Sequence, residues 1–574
     1  MKKIGLALLL LLCVAGILFF LFQGKQDKQL QAADCLPDDV LFYGEQIDFT
    51  DMYQTFSNSR LGRTLAGIDF AAIGLEMGPA GNSIVEVEKS WIEVRDTIKS
   101  KAFNELFGKE FSVAVFSGKS FSESAPAGSL EERLLLIARP RHNVTLLLYL
   151  SQFVSKDIPQ STVQYGAHTI TRYQLDDNRT ISTATVEGLV LAGLEERLVR
   201  NSLDHYDSGE NLLSNNKEYK RLRENFSGAK MFSYLSLPAL LVQERQIGKD
   251  LPEEDREEYF NLLSQWEGWG AAAYGAWHDS GVVKDKAEIL FDKGKLDSRV
   301  ANLCEIKPGP NKTLALVPTE TLFYYWTNTL NLPLIWEIYS TEATQQQPEA
   351  LNILRHELRD IAGVELEDVL AMVGNEFAVI VEDVGGEGLP IPKAAMVVHL
   401  KNPQEFLRVF NILLSNADIP VNTKSYKEND LSYWGVAPQG GLQPAFTLID
   451  KYLLVSNSLD LVKQIVDTSN DPALSLPVSS FMTEAGKDLL KNNNSATYVH
   501  IAKLADAMEE LVTWVGAMAV LQGPEVARNS DIVVNKLALP LLDGVAMYTQ
   551  LWSRSVITED SIVLESTTAT VHKQ

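Results

Sequence analysis

The 574-residue chain has few of the side chains on which catalysis and metal binding most often depend. It contains three cysteines and eight histidines, and the histidines are scattered singly, without the spacing of metal ligands. No G-x-S-x-G nucleophile segment occurs. The sequence therefore indicates no catalytic residue, no metal site and no cofactor. The sequence favours a protein that is not an enzyme, although a catalytic site assembled from distant residues remains open.

Two segments resemble catalytic motifs but lack a residue that the chemistry needs. Residues 117–120, Ser-Gly-Lys-Ser, end like a phosphate-binding loop, yet Val113 stands where that loop needs its first glycine. Residues 356–360 begin like a zinc-protease helix, but Asp360 replaces the second histidine. The simpler interpretations are a loop and a solvated helix face.

Basic residues are also scarce relative to acidic ones. The chain has 51 Lys and Arg against 75 Asp and Glu, a formal net charge of −24. Nucleic acid and anionic lipid surfaces both favour a basic patch, so this balance argues against either as the main partner. Solubility is the simpler explanation of the charge. With 45% hydrophobic residues, the chain is able to bury large cores, and its length indicates more than one domain.

Long apolar runs are absent except at the N-terminus, where residues 4–22 follow Lys2 and Lys3. As a helix rising ~1.5 Å per residue this run is about 28 Å long, enough to cross a bilayer core of ~30 Å. No small-x-small cleavage site follows it, which favours an uncleaved anchor over a removed signal. We therefore expect a signal anchor over residues 1–23 and a polar stalk over 24–35. The protein would span the inner membrane once, with most of the chain in the periplasm or outside the cell.

The three cysteines do not form a disulfide framework. Cys13 lies within the apolar run, which leaves Cys35 and Cys304 as one possible disulfide. Two unpaired thiols are the alternative.

The chain contains an internal repeat. Residues 37–43, Pro-Asp-Asp-Val-Leu-Phe-Tyr, return as 318–324, Pro-Thr-Glu-Thr-Leu-Phe-Tyr. Further matches follow in the same order, roughly 260 to 280 residues apart, and join 108–113 to 374–379, Asn143 to Asn402, 189–200 to 452–463, 233–237 to 497–501, and 270–274 to 544–548. This period is too long for a solenoid and indicates two copies of a whole domain. We expect one copy over 36–298 and the other over 318–574, joined by a linker over 299–317 that contains Pro308-Gly309-Pro310.

Each copy alternates between strand and helix patterns. Period-two alternation predicts strands over 40–47, 111–116, 132–138, 169–175 and 180–192. Helical spacing predicts helices over 83–106, 195–206 and 253–266. Neighbouring strands joined by tight turns indicate a mainly antiparallel sheet with helices packed on it. The expected fold is therefore α+β, duplicated in tandem behind one transmembrane helix. Residues 118–129 and 385–392 are expected to be hairpin loops.

Two apolar features are candidate binding surfaces. The first is a helical stripe with Trp514 beside it, formed by Leu504, Met508, Leu511, Val515 and Met518. The second is the aromatic cluster at 323–326. Core packing is the simpler explanation of both. The sharper hypothesis is a surface for a hydrophobic partner where the two copies meet, formed by Tyr324, Trp326, Trp514 and Met518.

The opening of the first copy resembles a known family. Residues 36–43, Leu-Pro-Asp-Asp-Val-Leu-Phe-Tyr, are followed by 56–63, Phe-Ser-Asn-Ser-Arg-Leu-Gly-Arg. This combination is similar to the start of the bacterial domain-of-unknown-function family 3352, whose members are exported or membrane-anchored proteins. The second copy keeps the first segment but has Asn-Leu-Pro-Leu at 331–334. The resemblance implies an extracytoplasmic location and supplies no catalytic residue.

The two copies share apolar framework, turn glycines and helix caps, and they do not share polar side chains of the catalytic type. This favours a non-enzymatic binding or scaffolding protein of the bacterial envelope. Its partners would be the inner membrane, through the N-terminal helix, and an envelope protein or a lipid, but not nucleic acid. The alternatives are an extracytoplasmic hydrolase with a dispersed site and a carrier of hydrophobic ligands.

Overall fold

The computed structural model describes residues 30–117, 130–141, 159–176, 179–279, 281–342, 353, 355–383, 391–417, 419–435, 442–480, 482 and 484–570. The predicted anchor at 4–22, the loop at 118–129, most of the loop at 385–392 and the helix predicted to start at Asn143 lie outside these residues. Within them, no helix combines the length and the apolar character that crossing a membrane requires.

The chain divides into two compact units. The first extends to Asp279 and takes in Lys284–Asp297, and the second consists of Ser280–Val283 and the chain from Ser298 onwards. Each combines α-helices with an antiparallel sheet, which confirms the α+β class predicted from the sequence.

The described part of the first unit contains ten strands. They are β1 Phe42–Ile47, β2 Glu110–Val115, β3 Leu134–Arg139, β4 Gln160–Tyr165, β5 His168–Asp176, β6 Arg179–Val186, β7 Leu189–Gly193, β8 Met231–Ser236, β9 Trp269–Asp279 and β10 Val282–Phe291. Pairing gives the order β4-β5-β6-β7-β3-β2-β1-β8-β9-β10 across the sheet. The chain thus leaves β3 for a four-stranded meander before it returns to the other side of β1.

The described part of the second unit also contains ten strands. They are β11 Phe323–Thr327, β12 Val373–Asp383, β13 Lys393–Leu400, β14 Asn422–Tyr426, β15 Asn429–Tyr433, β16 Ala445–Ile449, β17 Tyr452–Ser456, β18 Ser495–Val499, β19 Tyr548–Ile557 and β20 Ser561–Thr570. Their order is β14-β15-β16-β17-β13-β12-β11-β18-β19-β20. Every strand has the neighbours that its counterpart has in the first unit. Phe111 on β2 and Phe377 on β12 therefore occupy equivalent positions.

The helices with described bounds lie between these strands. In the first unit they are α1 Phe49–Asn58, α2 Arg60–Gly67, α3 Phe70–Glu76, α4 Asn82–Lys99, α5 Lys101–Phe107, α6 Glu196–Ser208, α7 Lys217–Asn225, α8 Leu237–Gly248 and α9 Glu253–Ser264. In the second they are α10 Ser298–Leu303, α11 Leu332–Glu342, α12 Leu366–Met372, α13 Pro403–Asn416, α14 Leu459–Asn470, α15 Ile501–Ala519, α16 Pro524–Val533 and α17 Leu539–Val545.

Local chemistry explains where several helices begin. The Asn402 side chain accepts a hydrogen bond from the Glu405 amide, and Pro403 occupies the first helical position of α13, as the sequence predicts. Ser236, the last residue of β8, and His500, the residue after β18, cap α8 and α15 in the same way. The two units therefore turn from strand into helix by the same device.

Each sheet has a main core on one face, against helices and short turns, and the opposite face is also covered in part: in the second unit Phe446 and Leu453 pack there with α13. In the first unit the core joins Tyr43 of β1 to α6 and α7. In the second, Tyr324 and Trp326 of β11 pack in a core with α14. Alternation along β11 directs Phe323 and Tyr325 to the opposite face, where both are half-buried.

Two local predictions need correction. The strand predicted over 180–192 is the hairpin β6–β7, which turns at Glu187 and Gly188 because both have positive φ, 42° and 82°. The helix predicted over 83–106 breaks at Ser100, which has extended backbone and caps α5. Strand β4 and strands β8 to β10 were not among the strands predicted from the sequence.

The predicted stalk and the disulfide also need correction. Residues Ala32–Cys35 form a 3-10 turn packed in the core of the first unit, so they are not part of an exposed stalk. Cys35 and Cys304, both described and both buried, are not joined by a disulfide. Burial raises the pKa of the Cys35 thiol to about 12, which makes this sulfur chemically inert at neutral pH.

Candidate functional site

The structure separates the four residues predicted to form a binding surface. Tyr324 and Trp326 are both 0% exposed in the core of the second unit. The Tyr324 hydroxyl donates to Asn311 Oδ1 at 2.8 Å, a contact inside the same unit. These two side chains are core residues, and their assignment to an accessible surface is wrong. Trp514 and Met518 lie together on α15, where Trp514 is half-buried and Met518 is 40% exposed.

The exposed end of α15 is the strongest candidate surface. A 3-10 turn, Val520–Gln522, connects α15 to α16. We call the uncharged segment 511–524 around this turn the apolar tip. The large apolar side chains exposed in and beside it are Val515 at 51%, Met518 at 40%, Val520 at 65%, Leu521 at 81% and Val526 at 43%.

Glycine and proline shape this helical hairpin. A Cβ added to Gly516 would lie 3.2 Å from Cγ2 of Val534, the residue that follows α16, so the missing side chain lets α15 and the end of α16 approach closely. Gly523 has φ 122°, a conformation that favours glycine, and Pro524 starts α16 at the first helical position. The tip is therefore a compact turn between the packed helices α15 and α16.

The corresponding hairpin of the first unit has a different tip. Helix α8 has 12 residues, whereas α15 has 19. The extra seven residues extend α15 by about 10 Å at the helical rise per residue. The first hairpin turns through Lys249, Asp250 and Leu251, and its next helix begins with three acidic residues. This α+β fold therefore does not require an apolar tip, and only the second unit has one within the described residues.

A polar groove lies at the other end of α15, within the second unit. It has a volume of about 390 Å³ and is lined by Glu320, Leu322, Glu382, Lys393, Lys503, Asp506, Ala507 and Glu510. Lys503 forms an ion pair with Glu320 across it. Four carboxylates and two ammonium groups make the lining polar, with an excess of two negative charges. Over the described residues, no three His, Cys, Asp or Glu side chains are placed to hold a metal ion.

His500 begins α15 beside this groove. Its Nδ1 accepts a hydrogen bond from the Lys503 amide at 3.2 Å, which requires that this nitrogen be unprotonated. Burial lowers the pKa of His500 below its ordinary value, and the nearby Lys503 acts in the same direction. The imidazole therefore serves as a neutral helix cap, which is a structural role.

A buried ionic network in the first unit was missed by sequence reasoning. Glu45 accepts hydrogen bonds from the Tyr43 hydroxyl at 2.9 Å and from Arg223 at 2.7 Å. Its side chain is 8% exposed, and burial raises its pKa. The only sequence signal was that Glu45 stands where the repeat has Trp326. Arg223 also lies over the Phe232 ring, 4.8 Å from its centroid, so the network packs as part of the core.

Comparison with known proteins gives one match. A family model described as "Protein of unknown function (DUF3352)" matches residues 105–389 and 387–519. No curated protein and no solved structure gives a significant match.

Proposed function

The chain belongs to the DUF3352 family of proteins of unknown function, as its opening residues indicated, and from that premise we propose that it is a non-enzymatic binding or scaffolding protein of the bacterial envelope. Residues 4–22 anchor it in the inner membrane, and the rest of the chain lies in the periplasm or outside the cell. Two copies of one α+β domain, 36–298 and 318–574, form this extracytoplasmic part. The identical order of ten strands in the two units supports the duplication.

The observation that carries the binding role is the apolar tip. Leu521 is 81% exposed and Val520 is 65% exposed, in a hairpin that is longer and less charged than its counterpart. Contiguous exposed apolar side chains are costly in water and often mark a surface that another molecule covers. Within the described residues we find no comparable observation for a hydrolase or for a carrier of hydrophobic ligands.

Photo-crosslinking in living cells tests this proposal. A photoreactive amino acid at Leu521 should give crosslinked products, with protein or with lipid, under ultraviolet light. Leu564 on β20 is the control, because it is also apolar and 48% exposed but lies outside the hairpin. Equal yields at both positions, or none at Leu521, would contradict the binding role.

A reporter fusion tests the location separately. A reporter active only in the cytoplasm, fused after Gln574, should stay silent if the chain crosses the membrane once with its N-terminus inside. Strong reporter activity would place the body of the protein in the cytoplasm.

A further inference from the structure

We propose that the apolar tip, residues 511–524, inserts shallowly into the interfacial layer of a lipid bilayer. This inference rests on the proposed function and names the occupant of the same surface. The bound species is the acyl-chain and glycerol region of phospholipids.

The shape of the surface favours lipid over a protein partner. The most exposed apolar side chains, Val520 and Leu521, lie in the turn that connects two helices, and Leu521 is more exposed than any other large apolar side chain described. A projecting turn offers a protein partner little area unless that partner has a matching pocket. A fluid bilayer accommodates such a projection without a preformed pocket.

The charges are arranged as insertion requires. The segment from Leu511 to Pro524 has no Asp, Glu, Lys or Arg, whereas Glu509 and Glu510 precede it and Glu525 follows it. A helical rise of ~1.5 Å per residue places Leu521 about 16 Å beyond Glu510. Interfacial helices bury their apolar side chains to a depth of ~5–10 Å, so the tip can insert while Glu509 and Glu510 stay in water. Glu525 follows Leu521 by only four residues, about 6 Å of helical rise, so it limits insertion to the shallow end of that range. Gln522, the polar side chain of the turn, is compatible with a shallow depth only.

Trp514 lies at the distance from Leu521 at which an interfacial aromatic side chain is expected. It precedes Leu521 by about 10 Å along the helix, and it is half-buried. Tryptophan is enriched at headgroup depth, where its ring contacts both apolar and polar groups. The side chain that sequence analysis selected for a hydrophobic partner therefore lies at the boundary of the inserted segment.

Part of the backbone of the tip is hydrogen-bonded before insertion. Helix α15 continues directly into a 3-10 turn, and the Ala527 amide in the first turn of α16 donates to the Gly523 carbonyl at 3.0 Å. Pro524 has no amide hydrogen to bury. This matters because an unpaired backbone group costs several kcal/mol in hydrocarbon.

The lipid should be zwitterionic. Glu509, Glu510 and Glu525 flank the tip, and the whole chain has a net charge of −24. Anionic headgroups would repel these carboxylates, so insertion is driven by the apolar side chains without help from lipid charge.

Fluorescence in phosphatidylcholine nanodiscs tests the inference on the full-length chain. Leu521→Cys is labelled with an environment-sensitive nitrobenzoxadiazole group in a Cys13→Ser background, since Cys35 and Cys304 are buried. Asp250→Cys, at the exposed tip of the first hairpin, is the matched control. We expect blue-shifted emission at position 521, quenched by spin labels on the lipid acyl chains, and neither effect at position 250. Adding Val520→Asp should abolish the quenching, while the thermal unfolding of both labelled variants stays unchanged.

Each contrary result has a definite meaning. A water-exposed probe at position 521 would overturn lipid insertion, yet protein crosslinks from Leu521 in cells would leave the proposed function standing. A shielded probe that lipid-bound spin labels do not quench would show that a protein, or a second copy of this chain, covers the tip. Quenching that appears only when phosphatidylglycerol is added would overturn the hydrophobic account. Loss of both the crosslinks and the quenching would reject the inference and the proposed function together.

Discussion

Replacing Trp326 by alanine should destabilise the second unit by about 3 kcal/mol and leave the apolar tip intact. The indole is 0% exposed in the core formed with α14. A buried aromatic side chain removes ~150–250 Å² of surface from water. At ~25 cal/mol per Å², and after subtraction of the surface that the alanine methyl still buries, the replacement costs about 4 kcal/mol. The Trp326 Nε1 atom is buried without a hydrogen-bond partner, so its removal relieves about 1 kcal/mol of that loss.

Urea unfolding followed by circular dichroism measures this effect. The two compact units can unfold in separate transitions, and only the transition of the second unit should shift. Trp326→Phe is the matched variant, because it keeps most of the ring and removes the unpaired N–H, and it should cost less than about 1.5 kcal/mol. A loss below about 1 kcal/mol for Trp326→Ala, accompanied by weaker crosslinking from Leu521, would refute the assignment of Trp326 to the core.

Three further predictions concern the ionic, thiol and capping interactions. Hydrogen bonds from Arg172 and Arg200 lower the pKa of Glu196 from 4.5 to about 2, so this stabilisation is complete above pH 4.5 and is lost as the pH falls towards 2. Glu196→Gln should therefore unfold about 1–3 kcal/mol more easily at pH 7, and the difference from the wild-type chain should vanish near pH 2; a constant difference across this range would disprove the cause. Cys35 should resist alkylation at pH 8 in the folded chain and react in urea, as mass spectrometry would detect, whereas rapid labelling of the folded protein would contradict its burial. Asn402→Ala should cost about 1 kcal/mol in chemical denaturation through loss of the α13 cap, and Asn402→Asp, which keeps an acceptor, should restore most of it.

Much of the fold was readable from the sequence because its signals are local. The cap at Asn402, the alternation around Phe111 and Phe377, and the helix after β7 all depend on residues close together in the chain. The repeat of these signals in the same order predicted two similar units before any contact was known. Strand β4 was harder to recognise, because its residues are mostly exposed and have few apolar side chains.

The sequence by itself established the family, the α+β class and the pairing of residues that share a face, such as Tyr324 and Trp326. Which face of β11 packs in the core depends on distant residues, because α14, which packs against Tyr324 and Trp326, lies more than 130 positions further along the chain. The stripe on α15 shows the same limit. Leu504 and Met518 belong to one helical pattern, but Leu504 is half-buried whereas Met518 lies on the segment by which α15 is longer than α8. Helical periodicity shows that side chains lie on the same face of a helix. Only the tertiary packing determines whether another part of the protein covers that face.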